Sequence, residues 1–370
     1  MTWPVLLMAR ELDLGGSERQ MTEVAKALDR SRFEPHVGCF RPGGLRGKEL
    51  QAAGVPIAHF PVYSFVSPRA VFGAWQLARY IRRHKIRLVL TYDFPLTVFA
   101  VPVAHFFTSA VVMSSARCHR DLIPFNYLRL IRKTDRLVDA IVVNCEFLRR
   151  HLEKDENVPA SRIQLCYNGI DLEQFRAGSS PRPTRLPSDA FVIGVVCALR
   201  PEKSLSTLLK AFAEIRNLRP GTKLAIVGSG PMLDQLQSEA RALGIWNDCV
   251  FEPSTSQVAD WLRAIDIFVL PSLSEAFSNS LMEAMACGCC AVASNVGGNP
   301  ELVRHQETGL LFEAGDAAGL ASALRALIDD QSLRQRLRTA GERMLHDRFS
   351  IRASAQRMGE IFAQLIERRR

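Results

Sequence analysis

Ser272-Leu273-Ser274-Glu275-Ala276-Phe277-Ser278-Asn279-Ser280-Leu281-Met282-Glu283 follows the mostly apolar run at residues 265–270. The strand-like Ile267-Phe268-Val269-Leu270 leads to Pro271, and a helical pattern resumes at residues 281–286. Glu275 is therefore expected on the loop leaving the carboxyl end of a strand. Glu283, eight positions on, is expected in the first turns of the next helix. Open α/β sheets bind ligands in that crevice, and a helix start offers free N–H groups and a positive dipole end to an anion. Two carboxylates beside such a terminus suit a sugar nucleotide, with a carboxylate for hydroxyls and the N–H groups for phosphate. Two glutamates at this spacing also arise by chance on solvated helices, so the setting carries the weight.

Working outward, apolar runs alternate with helical periods on both sides of this stretch. In the first half, strands are expected at residues 5–8, 34–40, 56–60, 88–92, 110–114 and 140–144, with helices between them. A Pro/Ser-rich segment at 177–187 reads as a linker. The alternation then restarts, with strands at 191–198, 223–227, 249–252, 267–270, 290–294 and 309–312. Such alternation means parallel, doubly wound sheets. The chain reads as an α/β protein of two Rossmann-like domains, residues 1–176 and 190–350, joined by a linker at 177–189. Residues 351–370 form an amphipathic helix with Met358, Ile361, Phe362 and Leu365 at helical spacing.

Residues 274–288 closely resemble the E-x7-E motif of the family-4, retaining glycosyltransferases of the GT-B fold. Val296-Gly297-Gly298-Asn299-Pro300-Glu301-Leu302-Val303 and Thr308-Gly309-Leu310-Leu311-Phe312 continue the resemblance in register. Ala276 departs from it, standing where the family usually has Gly. The resemblance implies two domains facing across a cleft, an acceptor-binding first domain, a donor-binding second domain, and a closing helix that crosses back to the first. It also implies metal-independent transfer of a hexose from a nucleotide diphosphate sugar, uridine ahead of guanosine, to a glycan or lipid-linked acceptor in polysaccharide or cell-surface glycan synthesis. Configuration would be retained, the leaving diphosphate accepting the proton of the attacking hydroxyl.

Residue by residue, the resemblance assigns Glu275 to donor-sugar hydroxyls and Glu283 to the ribose. The N–H groups near Phe277, Ser278, Asn279 and Ser280 would take the β-phosphate. Arg200 and Lys203, in Arg200-Pro201-Glu202-Lys203 after a strand, would hold the diphosphate, because charge building on a leaving oxygen needs fixed cations. Gly15-Gly16-Ser17-Glu18 matches the family's Gly-Gly-x-Glu loop, where an absent Cβ lets backbone approach a phosphate or acceptor. Gly228-Ser229-Gly230-Pro231 matches a turn shaping the nucleotide pocket. His119 stands where relatives carry a polar contact to sugar or acceptor, with Arg117 beside it, although a lone His is more often structural. Asn144 and Asn168 match further elements, and backbone around Phe251-Glu252-Pro253 is a candidate for base recognition.

Composition bounds the alternatives. The 370 residues, 47% apolar and 23% charged, fit a soluble chain of two domains. No amino-terminal signal peptide is read, since residues 5–9 are too short an apolar run. The most lipid-like stretch, 88–113, is broken by Asp93, Pro95, Pro102 and His105. Nine cysteines lack a disulfide framework or zinc spacing, and Cys287, Cys289 and Cys290 read as small buried thiols in a reducing cytoplasm. The net charge is +9, and residues 60–150 hold 14 Lys/Arg against 5 Asp/Glu. Such a patch suits peripheral contact with an anionic membrane, or is a solvated face. Nucleic acid is not expected, because no aromatic-rich basic ribbon accompanies the charge. No cofactor beyond the donor substrate is expected, and no Asp-x-Asp metal–diphosphate site stands on a strand end. The competing classes are an NAD-dependent enzyme, weakened by the incomplete glycine fingerprint at Gly228, an epimerase of the same fold, and a non-catalytic nucleotide-sugar binder.

Overall fold

Short runs of Val, Ile, Leu and Ala bury both faces in strands flanked by helices, as parallel sheets require. The computed structural model describes every residue except Met1, Leu14, Tyr63, Val66, Ser179 and Arg370. Leu14 of the glycine loop, Ser179 of the Pro/Ser-rich segment and Arg370 of the last helix thus lie outside the described residues.

The first sheet contains β1 (Trp3–Glu11), β2 (Phe33–Arg41), β3 (Ile57–His59), β4 (Leu88–Thr91), β5 (Val111–Ala116), β6 (Ala140–Val143) and β7 (Ile163–Leu165). Its order is β3-β2-β1-β4-β5-β6-β7, with all pairs parallel. The helices are α1 (Gly16–Ala27), α2 (Leu45–Ala52), α3 (Pro68–Arg83), α4 (Phe94–Phe107), α5 (Phe125–Thr134) and α6 (Glu146–Lys154). The lipid-like stretch 88–113 resolves into β4, α4 and the start of β5. No helix among the described residues is long and apolar enough to cross a membrane.

The second sheet contains β8 (Phe191–Val196), β9 (Thr222–Val227), β10 (Cys249–Glu252), β11 (Ile267–Leu270), β12 (Cys290–Ser294) and β13 (Leu310–Phe312). Its order is β10-β9-β8-β11-β12-β13, again parallel throughout. The accompanying helices are α7 (Leu205–Ile215), α8 (Leu233–Ala242), α9 (Val258–Arg263), α10 (Asn279–Ala286), α11 (Asn299–Leu302), α12 (Ala317–Asp329) and α13 (Gln331–Arg348). The last helix is α14 (Ile351–Arg368). Both sheets are doubly wound. The order reverses between β1 and β4 in one and between β8 and β11 in the other, the places where such sheets bind ligands.

Two compact units result, one of Met1–Gly169 with Ile351–Arg370, the other of Ile170–Ser350. Met358, Ile361, Phe362 and Ile366 of α14 enter the same core as Val5, Leu7, Met21 and Phe33, with Phe33 and Phe362 edge-on at 6.0 Å. Arg369 closes the helix with bonds to Asp139 at 2.6 Å and the Ala110 carbonyl at 2.8 Å. The boundary expected at residue 176 falls instead after Gly169, and the Pro/Ser-rich stretch belongs to the second unit. It is no free tether: Leu186 is buried, Arg182 bonds the Ala190 carbonyl at 2.6 Å, and Arg185 bonds the Phe251 carbonyl at 2.8 Å. All nine cysteines are free, and burial pushes the Cys287 and Cys290 thiols up to about 12.

Candidate functional site

Four loops at the carboxyl end of the second sheet are knitted together around its reversal point. The loop after β8 carries Arg200 and Lys203, and the loop after β11 carries Glu275. Leu273 N–H donates to the Glu202 carbonyl at 2.8 Å, joining the two. Lys203 Nζ then lies 2.5 Å from Glu275 Oε2, with only 18% and 13% of the two side chains exposed. Ser272 Oγ donates to the same carboxylate oxygen at 3.1 Å. Burial works against the Lys203 ammonium, but the Glu275 charge and hydrogen bond outweigh it, and its pKa is raised. Directly after Lys203, Ser204 adopts φ 49°, ψ 43°, a left-handed conformation that costs a non-glycine residue free energy and recurs at functional sites.

The glycines of this end make close approaches. Gly228 has φ 149°, and a Cβ there would collide with the Cys197 carbonyl; one at Gly230 would collide with the Leu199 carbonyl. The turn thus lets the loop after β9 pass against the loop bearing Lys203, tied by Leu199 N–H to the Ser229 carbonyl at 3.0 Å. On the other side Gly297, at φ 57°, lies so close to the Glu275 carbonyl that a Cβ would overlap it. Gly298 N–H donates to the Ala276 carbonyl at 2.7 Å. Helix α10 begins at Asn279, earlier than the periodicity of residues 281–286 suggests, because Ser278 caps it by accepting the Leu281 N–H at 3.3 Å. Phe277 is buried at its mouth, Ser280 is half-buried with its Oγ 3.2 Å from Ser278 Oγ, and Glu283 is 5% exposed on the second turn. Arg200 differs from the rest. Its side chain is 64% exposed and lies 3.9 Å from Glu202.

The first sheet has its own reversal point. Gly15 is the N-cap of α1, and a Cβ there would strike the carboxylate of Glu18, which stands in the first turn of the helix. Gly16 is the first helical residue. Across the reversal, Asp93 caps α4 by accepting the Leu96 N–H at 3.0 Å and also takes the Arg10 N–H at 2.6 Å. Burial outweighs both bonds and pushes Asp93 up to about 6. Arg117 stacks 4.6 Å over the Tyr92 ring and donates to Asn168 Oδ1 at 2.7 Å. Gln20 grips Gly169 through two bonds, at 2.9 and 3.0 Å. This grip has no sequence signature, since it spans 149 positions. Asn144 is buried, and its Oδ1 has no hydrogen-bond partner among the described residues.

His119 stands at the turn after β5. Its ring faces that of His151 at 3.8 Å, tilted by 33°, and His151 Nδ1 lies 2.7 Å from Asp155. Burial and then the neighbouring imidazole lower its pKa, favouring the neutral ring. Next to it the buried Arg120 pairs with Asp135 at 2.5 Å and Glu156 at 2.9 Å, fixing the turn. Among the described residues, His119, His151 and Asp155 bring donor atoms within 4.8 Å of one another.

Residues 14–174 match the family model described as glycosyltransferase family 4, and residues 179–344 match that of glycosyl transferases group 1. The chain belongs to the group 1 glycosyltransferases. Among its relatives, the D-inositol 3-phosphate glycosyltransferase of Thermobispora bispora is 33% identical over 246 residues, 63% of this chain and 57% of that protein. That of Streptomyces scabiei is 32% identical over 227 residues, 57% and 50% of the two. The chain spans about half the length of the curated relatives it matches. The Anabaena HepE structure in complex with UDP-glucose superposes with a TM-score of 0.86 at 20% identity, covering 98% of this chain and 99% of that one. At that identity the likeness is one of fold, the GT-B fold of this family.

Proposed function

We propose that this glycosyltransferase moves a hexose from a nucleotide diphosphate sugar, a uridine diphosphate sugar first among them, to a hydroxyl of a glycan or lipid-linked acceptor with retention of configuration. The observation that carries this reading is the Lys203–Glu275 pair at the reversal point of the second sheet. Breaking the bond between the sugar and the β-phosphate leaves negative charge on the phosphate oxygen. Fixed positive charge in a partly dry site stabilises that charge most. Lys203 and the N-terminus of α10, at Phe277, Ser278, Asn279 and Ser280, supply it.

Glu275 holds Lys203 in place through the 2.5 Å contact. With donor bound, Lys203 turns its hydrogen bonds to the diphosphate, and Glu275 accepts from sugar hydroxyls. Arg200, exposed on the same loop, reaches the phosphates as a second cation. Glu283 accepts from the ribose, while Gly228 and Gly297 keep the loops in register. The acceptor hydroxyl attacks the anomeric carbon from the face the diphosphate leaves, and its proton passes to the departing oxygen. His119 and the Gly15-Gly16 loop are assigned to sugar or acceptor contacts. The UDP-glucose carried by HepE supports a uridine donor, and the D-inositol 3-phosphate glycosyltransferases among the relatives support transfer to a hydroxyl acceptor. Nine free cysteines suit action in a reducing cytoplasm, in the synthesis of polysaccharide or cell-surface glycan.

A panel of UDP- and GDP-sugars in a thermal-shift assay tests the donor, since a ligand bound by the native state alone raises the melting point. Proton NMR of the product formed with the best donor tests the stereochemistry. Retention of the donor's anomeric configuration is expected, and an inverted product overturns the mechanism.

A further inference from the structure

Helix α3 presents an outer face unlike an ordinary solvated one. Its inner face is satisfied by its own unit: Ala70, Gly73, Leu77, Ala78 and Ile81 are buried, and a Cβ at Gly73 would strike Val62. Outward, Val71, Phe72 and Trp75 are 74%, 52% and 53% exposed. Phe72 and Trp75 stack at 5.7 Å, and the Arg79 guanidinium lies 5.2 Å from the Trp75 ring, so positions i, i+3 and i+7 form one stripe. Arg82 and Arg83 at the end of the helix, and Lys85 and Arg87 just after it, are exposed cations. Arg82 also donates to the Phe107 carbonyl at 3.0 Å, which places exposed Phe106 and Phe107, the end of α4, beside the cationic end. From residue 50 to residue 92 the chain has six Lys/Arg and no Asp/Glu.

We infer that this face of α3, with the end of α4, docks on an anionic lipid surface. Aromatic side chains at one level flanked by snorkelling cations match a bilayer interface, apolar below and phosphate-rich above. A second copy of the chain is disfavoured as the occupant, because two such faces bring cations against cations with no acid from residues 50–92 to offset them. The helix lies in the interface plane, with Phe72 and Trp75 entering the headgroup boundary and Arg79, Arg82 and Arg83 pairing with lipid phosphates. The inference uses none of the transfer chemistry, so either can fail alone.

The full chain is sedimented with phosphatidylglycerol-rich vesicles and, separately, with pure phosphatidylcholine vesicles. Binding to the anionic vesicles is expected at low salt, weakening as salt screens the charges. Arg82→Gln with Arg83→Gln should lower the affinity about 20-fold or more, from the lipid attraction of two cations. Phe72→Ser with Trp75→Ser should lower it about tenfold or more by removing the inserted area. Unchanged circular dichroism shows that these surface variants fold. The inference is overturned by no binding at low salt, by equal binding to phosphatidylcholine, or by variants that bind like wild type. Self-association abolished by Phe72→Ser with Trp75→Ser, without vesicle binding, also overturns it, and assigns the face to a second copy.

Discussion

Lys203 and Glu275, 72 positions apart in sequence, meet at 2.5 Å where the strand order of the second sheet reverses. The pair shares its carboxylate with Ser272 Oγ and stands on loops locked by the Leu273–Glu202 backbone bond. A ligand entering the reversal point therefore meets a cation and an anion already oriented, with little reorganisation left for the reaction itself.

If Lys203 stabilises the leaving diphosphate, Lys203→Ala lowers turnover at saturating donor by roughly 2.7–4 kcal/mol of transition-state stabilisation, the effect of losing one oxyanion-type donor. The variant also leaves Glu275 without its cation. Steady-state kinetics should thus be paired with thermal melting, and the turnover loss should persist in protein still folded at the assay temperature. Turnover within twofold of wild type would remove Lys203 from the reaction.

Gly297→Ala tests the loop that backs Glu275. At φ 57° a Cβ costs about 1–2 kcal/mol from backbone conformation alone, and here it also overlaps the Glu275 carbonyl. The expected outcome is a lower melting temperature together with weaker donor binding. Gly54→Ala, also at positive φ (67°) but with open space around the added carbon, should lower stability and leave donor binding unchanged.

Asp93 links folding to pH in the first unit. Its folded-state pKa is pushed up to about 6 from the ordinary 3.8, chiefly by burial. The folded chain then holds the proton more tightly than the unfolded chain. The stability this provides is full below about pH 4 and is lost as pH rises through about 6. Wild type should lose up to about 3 kcal/mol relative to Asp93→Asn between pH 4 and pH 7, from about two pKa units at 1.36 kcal/mol each. Urea unfolding at several pH values measures the difference. A gap between the two proteins that is constant across this range would contradict the assignment.

The fold was legible in the sequence where it rests on periodicity. Apolar runs such as 267–270 and 290–294, too short for helices and bounded by Pro, Gly or Asn, read as interior strands, and their alternation with amphipathic helices implies parallel sheets. β7 escaped because three residues, one of them Gln164, make too short a run. The unit boundary shifted because a Pro/Ser-rich composition signals absence of regular structure, not absence of packing, and Arg182, Arg185 and Leu186 bind that stretch to the second unit. At the candidate site, spacing placed Glu275 on a loop and Glu283 on a helix, and the fold places them so. The 2.5 Å contact with Lys203, the exposed course of Arg200, the left-handed Ser204 and the His119–His151 stack depend on contacts distant in sequence or on backbone conformation. Residue type alone does not encode these.

The central claim is that the second unit's acidic and cationic side chains enclose one nucleotide sugar. Calorimetric titration of the nucleotide sugar that most raises the melting point, into wild type and into Glu283→Gln, tests it most directly. Loss of a hydrogen bond between the ribose and a buried carboxylate is worth about 1.5–3 kcal/mol, so affinity should fall at least about tenfold while the fold is kept. Equal affinity for the two proteins would contradict the account.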